Sequence, residues 1–227
     1  MKRLFSVISA FLLIMMGATT ASAQYYEIAN QVRNLITPAL TGGASYKGYV
    51  EASALGGLGD NRASFFGVST SQGFQYASWF FMGAGIGVDV AVANNGDDGP
   101  GSFPNGYPDY YRHPASQTKA MIPVFSDFRF NIGSNPAATS VFIDVKLGAT
   151  WLMGGSFLEL QTKRLGGNAQ FYLKPQIGVR VPINSKNSRQ AINFGATYQL
   201  ITSGNNYSWT GSSVSLNNIG ITLAFEW

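Results

Sequence analysis

From about Tyr46 to Trp227 the chain repeatedly alternates apolar and polar residues with period two, and every charge at an interior strand position falls on the polar side. The last stretch shows the rule most plainly. Ile219, Ile221, Leu223, Phe225 and Trp227 share one face, against Asn218, Gly220, Thr222, Ala224 and Glu226. Upstream, Ile192, Phe194, Ala196, Tyr198 and Leu200 oppose Asn193, Gly195, Thr197 and Gln199. Phe171, Leu173, Ile177, Val179 and Val181 likewise oppose Tyr172, Lys174, Gln176, Gly178 and Arg180. Successive side chains of a strand point to opposite faces, so this pattern puts one face in an apolar medium and the other in a polar or small-residue one.

Two architectures alternate in this way, a soluble sandwich and a membrane barrel, and composition separates them. Only 11% of the residues are charged and 14% are aromatic, with 27 glycines. A soluble domain carries about 25% charged residues. A sandwich would fill its outward polar face with Lys and Glu, whereas here that face is rich in Gly, Asn, Thr and Gln. The absence of cysteine excludes a lipobox, a disulfide framework and a thiol nucleophile. After the N-terminal segment no run of 18 apolar residues occurs, so any crossing is made by strands.

The N-terminus reads as an export signal over residues 1–23. Lys2 and Arg3 form a positive start, Leu4 to Met16 is mostly apolar, and Ala21-Ser22-Ala23 fits a small-residue cleavage site between Ala23 and Gln24. Without Lys2 and Arg3 the chain keeps 13 basic side chains against 11 acidic ones. No basic patch points to nucleic acid. Residues 24–43 form a periplasmic segment in which Ile28, Val32, Leu35, Ile36 and Ala39 recur at helical spacing, predicting a short helix.

Over residues 44–227 the pattern predicts eight strands, at Tyr46–Leu55, Arg62–Ser71, Ser78–Ala93, Ala120–Ile132, Ser140–Met153, Ala169–Ile183, Arg189–Ile201 and Val214–Trp227. The expected fold is all-β, an eight-stranded antiparallel up-and-down transmembrane barrel. A ten-stranded barrel follows instead if a long connection holds a hairpin. Long connections fall at the third, fifth and seventh positions, as outer loops should when short turns are periplasmic. Gly83, Gly85 and Gly87, within Phe80–Val92, lack the spacing and the following helix of a nucleotide-binding loop. They read as inward packing space for long Lys, Arg and Tyr side chains from other strands.

The candidate sites are of three kinds. Inward charges at Lys47, Glu51, Asp89, Asp127, Arg129, Asp144, Lys146, Lys174, Arg180 and Glu226 are five basic and five acidic, so they suit either a self-neutralising network or a narrow ion path. The long connection after the third strand carries Tyr107, Tyr110 and Tyr111, which suit contact with a glycan or protein, or belong to an ordinary solvated loop. Its acidic residues Asp97, Asp98 and Asp109 lack EF-hand spacing. His113 is the only histidine; Ser102 and Ser116 lie near it, but no spacing assembles a nucleophile, base and orienting carboxylate. No catalytic role, cofactor or metal is expected.

Three stretches resemble a family of small outer-membrane barrels, the porin-like or OmpA-like barrel domains seen especially in Bacteroidetes. They are Ser69–Gln75 leading into Phe80–Asp89, Ile122–Arg129, and Gly220–Trp227. The resemblance implies the outer membrane of a Gram-negative bacterium, with membrane lipid and lipopolysaccharide as surroundings. It also implies that Phe225 and Trp227 form the terminal signal read by the barrel assembly machinery. The expected role is structural or surface-interacting with a closed lumen; a narrow channel for small solutes is the alternative, and a lipid-modifying enzyme the more distant one.

Overall fold

The structure, a computed structural model, describes residues 43–59, 62–94, 116–133, 137–154, 157–160, 164–166, 169–184, 187–203 and 214–227. The predicted export signal with Ala23 and Gln24, the helix at 28–39, and Ser102, Tyr107, Tyr110, Tyr111 and His113 lie outside these residues.

Eight long strands close into one antiparallel barrel: β1 (Ser45–Leu58), β2 (Ala63–Ala77), β3 (Phe80–Asn94), β4 (Ser116–Ile132), β5 (Ser140–Leu152), β8 (Gln170–Asn184), β9 (Asn187–Ser203) and β10 (Val214–Glu226). Two short strands, β6 (Leu158–Glu159) and β7 (Arg164–Leu165), pair only with each other. The fifth connection thus does hold a hairpin, yet it adds no strand to the barrel.

Around the wall the order is β1, β10, β9, β8, β5, β4, β3, β2 and back to β1. β1 and β10 meet in continuous register from Tyr49 with Glu226 to Leu58 with Asn217. Beyond it, the Gly48 and Trp227 amides each donate to the other's carbonyl at 3.1 Å. Hydrocarbon supplies no partner for a free strand edge, so this seam is what makes a membrane-spanning sheet tenable.

The exterior is apolar, whereas the interior holds the buried polar and charged side chains. Ile221 is 69% exposed while its neighbour Thr222 is 6% exposed; Ile177 is 56% exposed and Gln176 only 4%. On β2 two neighbouring polar residues fall on the outer face, because Thr70 and Gln72 share the parity of Phe66 and Val68. They are tied off locally. The Tyr46 hydroxyl donates to Gln72, the Gln72 amide donates to Thr70 at 2.9 Å, and Thr70 donates to the Tyr49 carbonyl at 3.0 Å. A polar group so satisfied is tolerable against lipid.

Those residues also explain the largest boundary difference. β2 continues six residues past Ser71, and a tight turn at Ser78–Trp79 replaces the expected six-residue connection. Gln72, Gly73 and Gln75 look like loop residues, but Phe74 and Tyr76 keep the outward parity while Gln75 stays buried. Two mid-strand prolines cost ladder rungs. The β3–β4 register skips Gly87 and Val88 beside Pro123, and the β8–β9 register skips Lys174 and Pro175. Proline has no N–H to give, and a closed barrel offers no edge on which to hide it.

Gly83, Gly85, Gly87 and Asp89 face inward as the alternation requires. The space goes to different occupants than expected, for a Cβ on Gly85 would run into the Phe125 ring rather than a long polar chain. On β2, a Cβ on Gly67 would meet the Asp89 carboxylate. Gly85→Val should therefore lower the unfolding midpoint of the detergent-folded barrel by the equivalent of about 1–3 kcal/mol, the usual cost of overpacking. Gly56, exposed with only a backbone oxygen 4.0 Å from its Cβ position, should accept Val with a change within about 0.5 kcal/mol.

Candidate functional site

Each of the ten candidate lumen charges points into the barrel and is at most 9% exposed. Eight of them are linked in stacked layers that begin near the short turns, while Asp89 stands higher, opposite Met121. In the lowest layer Glu226 of β10 receives both Lys47 of β1 and Arg180 of β8. The Arg180 Nε donates to Oε2 at 2.9 Å and its Nη2 to Oε1 at 3.0 Å, a two-pronged grip that an ammonium cannot make.

Above it, Arg129 of β4 reaches Asp144 of β5, with Nη2 at 2.8 Å and Nε at 3.3 Å from Oδ2. The register puts these two directly opposite, as it does Asp127 and Lys146, so adjacent rungs carry opposite charge order. The guanidinium is also sandwiched. Its central carbon lies 4.2 Å from the Tyr49 ring centroid and 4.3 Å from that of Phe142. Out of water, such a cation over an aromatic face contributes about 2 kcal/mol or more.

The third layer crosses the lumen. Lys146 of β5 donates to Asp144 at 3.1 Å and to Glu51 of β1 at 2.8 Å. In the order of the wall β1 and β5 are diametrically opposite, so the Lys146–Glu51 bond joins facing sides. Lys174 donates to the other Glu51 oxygen at 2.9 Å, Gln176 to Oε2 at 2.9 Å, and Thr222 to Gln176 at 3.1 Å. Among the described residues, three carboxylates (Glu51, Asp144 and Glu226) thus take all five cations. Asp89 and Asp127 stand outside these ion pairs, and Asp127 accepts instead from the Ser71 hydroxyl at 2.5 Å.

Several participants escaped the sequence reading. Tyr49, Phe142, Ser71 and Gln176 share the inward parity of the charges, which was the available signal, but parity does not say who touches whom. The upper lumen changes character. Leu55, Phe65, Met121, Leu152, Ile201 and Leu216 form an apolar cluster there with Leu158, Leu160 and Leu165 of the β6–β7 segment. At the bottom rim Phe225 and Trp227 point outward with stacked rings 6.0 Å apart. A Cβ on Gly48 would meet the Trp227 ring, so the glycine makes the bed for the last residue. Ser116 opens β4 and is exposed.

No protein-family model matches the chain, and no curated protein does. Among solved structures it is similar to Neisserial surface protein A, with a TM-score of 0.52 and 10% identity over 82% of this chain and 98% of that one. The fold is that of a small outer-membrane β-barrel. Lower scores relate it to the outer membrane enzyme PagL (TM-score 0.44, 11% identity, 78% of this chain and 97% of that). The N-terminal β-barrel domain of Pseudomonas aeruginosa OprF follows (0.38, 9%, 80% and 97%).

Arg129 is where this arrangement is most easily tested. Removing one partner of a buried ion pair typically costs about 3–5 kcal/mol where the other charge is left uncompensated; here Asp144 would keep Lys146 but lose its two-pronged partner. Arg129→Ala should lower barrel stability by that order in urea unfolding, and Arg129→Lys should recover only part of it, lacking the planar fork between two rings. The double variant Arg129→Ala with Asp144→Ala should be more stable than Arg129→Ala alone.

Proposed function

We propose that this protein is a closed, non-catalytic barrel of the outer membrane whose role is structural or surface-interacting. The observation that carries the reading is the Lys146–Glu51 bond between facing walls, with Lys174, Asp144 and Arg129 joined to it. In a barrel of eight strands the interior is only just wide enough for side chains, so a bonded layer of this kind leaves no solute path. The charges serve one another instead of a substrate, which supports the non-enzymatic reading.

The setting follows from the same features. The apolar exterior suits lipid, with lipopolysaccharide in the outer leaflet of a Gram-negative envelope. The outward, stacked Phe225 and Trp227 suit recognition by the barrel assembly machinery. Any glycan or protein partner would be met at the outer loops, where Tyr107, Tyr110 and Tyr111 lie in the sequence. We place the chain with the porin-like or OmpA-like barrels of Bacteroidetes on the three stretches that resemble them, without assigning it a pore.

The test is electrical. The chain from Gln24, refolded in detergent and shown to be folded by a heat-dependent gel shift, should give no steady channel openings in a planar bilayer. Reproducible openings of the native protein would overturn the closed reading and make the lumen charges the lining of a narrow channel.

A further inference from the structure

The described residues of the connection between β5 and β8 pack into the barrel's apolar cluster. Leu158, Leu160 and Leu165 have no exposed surface at all. They pack with Leu55, Phe65, Met121, Leu152, Ile201 and Leu216, one inward side chain from each of six barrel strands. Residues of a surface loop do not bury three leucines completely, and a barrel interior is ordinarily polar, so both partners depart from the expected pattern together.

Polar latches hold the segment in register. The Gln117 side chain of β4 bonds it twice, donating to the Phe157 carbonyl at 3.2 Å and accepting from the Glu159 amide at 2.6 Å. On the other side of the hairpin the Gln170 amide of β8 donates to the Gly166 carbonyl. Backbone groups carried into an apolar space must find partners, and these two glutamines supply them. Both face the lumen from strands that flank β5.

We propose that the β6–β7 hairpin is a built-in plug that seals the outer mouth of the lumen independently of the charge layer beneath it. The proposal rests on the closed-barrel reading and divides the work of closure. A polar, bonded barrier stands toward the turns and an apolar one toward the loops. A solute or ion entering from outside meets leucine side chains that it cannot hydrogen-bond before it reaches Lys174 or Glu51. The same arrangement withdraws Leu158, Leu160 and Leu165 from the outer surface.

Because the chain has no cysteine, single-thiol reporters give a clean test. Thr150 faces the lumen on β5, is fully buried, and its hydroxyl has no partner among the described residues, so Thr150→Cys is a mild change beneath the plug. Ser116→Cys is the exposed reference. In the refolded protein a charged, membrane-impermeant maleimide should label Ser116→Cys quickly and Thr150→Cys at least about tenfold more slowly, since labelling follows the population of the opened state. Adding Leu158→Ser, Leu160→Ser and Leu165→Ser should close that gap; Gln117→Ala, which only loosens the latch, should narrow it where the triple variant does not give a gel shift.

Equal labelling of the two reporters with the native hairpin would overturn the plug, as would continued protection of Thr150→Cys in a folded plug variant. Conductance keeps the two readings apart. The plug variants should stay silent because the charge layer is intact, and should conduct only when Lys146→Ala, which removes the bond across the lumen to Glu51, is added. A plug that fails in a silent barrel leaves the closed reading standing, whereas openings of the native protein sink the closed reading itself.

Discussion

A strand inside hydrocarbon must have every backbone amide partnered, and the seam between β1 and β10 is where this chain meets that demand. The rest depends on that closure. It brings the first and last strands together, so that Glu226 reaches Lys47 and Trp227 settles over Gly48. It also sets the number of strands at eight, and with it a bore that side chains must fill. A polar interior of that width has room for salt bridges but not for a hydration shell around each charge, so the five cations share three carboxylates, Glu51, Asp144 and Glu226.

The lumen meets this requirement in two ways along its length. Toward the turns, ionic groups cross-link five strands through three shared carboxylates, with Arg129 held flat between Tyr49 and Phe142. Toward the loops, the same inward positions carry Leu55, Phe65, Met121 and Leu216, and charge gives way to leucines borrowed from a connection. Phe125 lies at the transition, its ring stacked 5.9 Å from Tyr172 and 5.9 Å from the Lys146 ammonium. An aromatic ring suits that border because its face attracts a cation while its body packs with apolar groups.

Similarity to Neisserial surface protein A at 10% identity is consistent with how little an eight-stranded barrel asks of particular residues. The bilayer requires apolar parity on the outside and closure of the sheet; it does not prescribe which polar groups fill the inside. Interior contacts are then free to differ from barrel to barrel while the wall stays the same. The fold therefore says where the protein can sit, and the lumen and loops have to say what it does.

Much of this was legible along the chain. Alternation is a local property of extended backbone, so it assigned the inward face to Glu51, Lys146 and Arg180 and the outward face to Ile177 and Ile221 without any knowledge of the fold. It faltered at Gln72–Ala77, where polar and small residues imitated a turn while keeping strand parity. What alternation cannot state is distance across the barrel. That Lys146 meets Glu51 from the opposite wall, that Arg129 lies between Tyr49 and Phe142, and that three leucines of a connection turn inward are decided only when eight strands close with a particular stagger. Facing direction is written residue by residue, whereas partnership follows from the closed sheet, which brings together side chains that the backbone holds far apart.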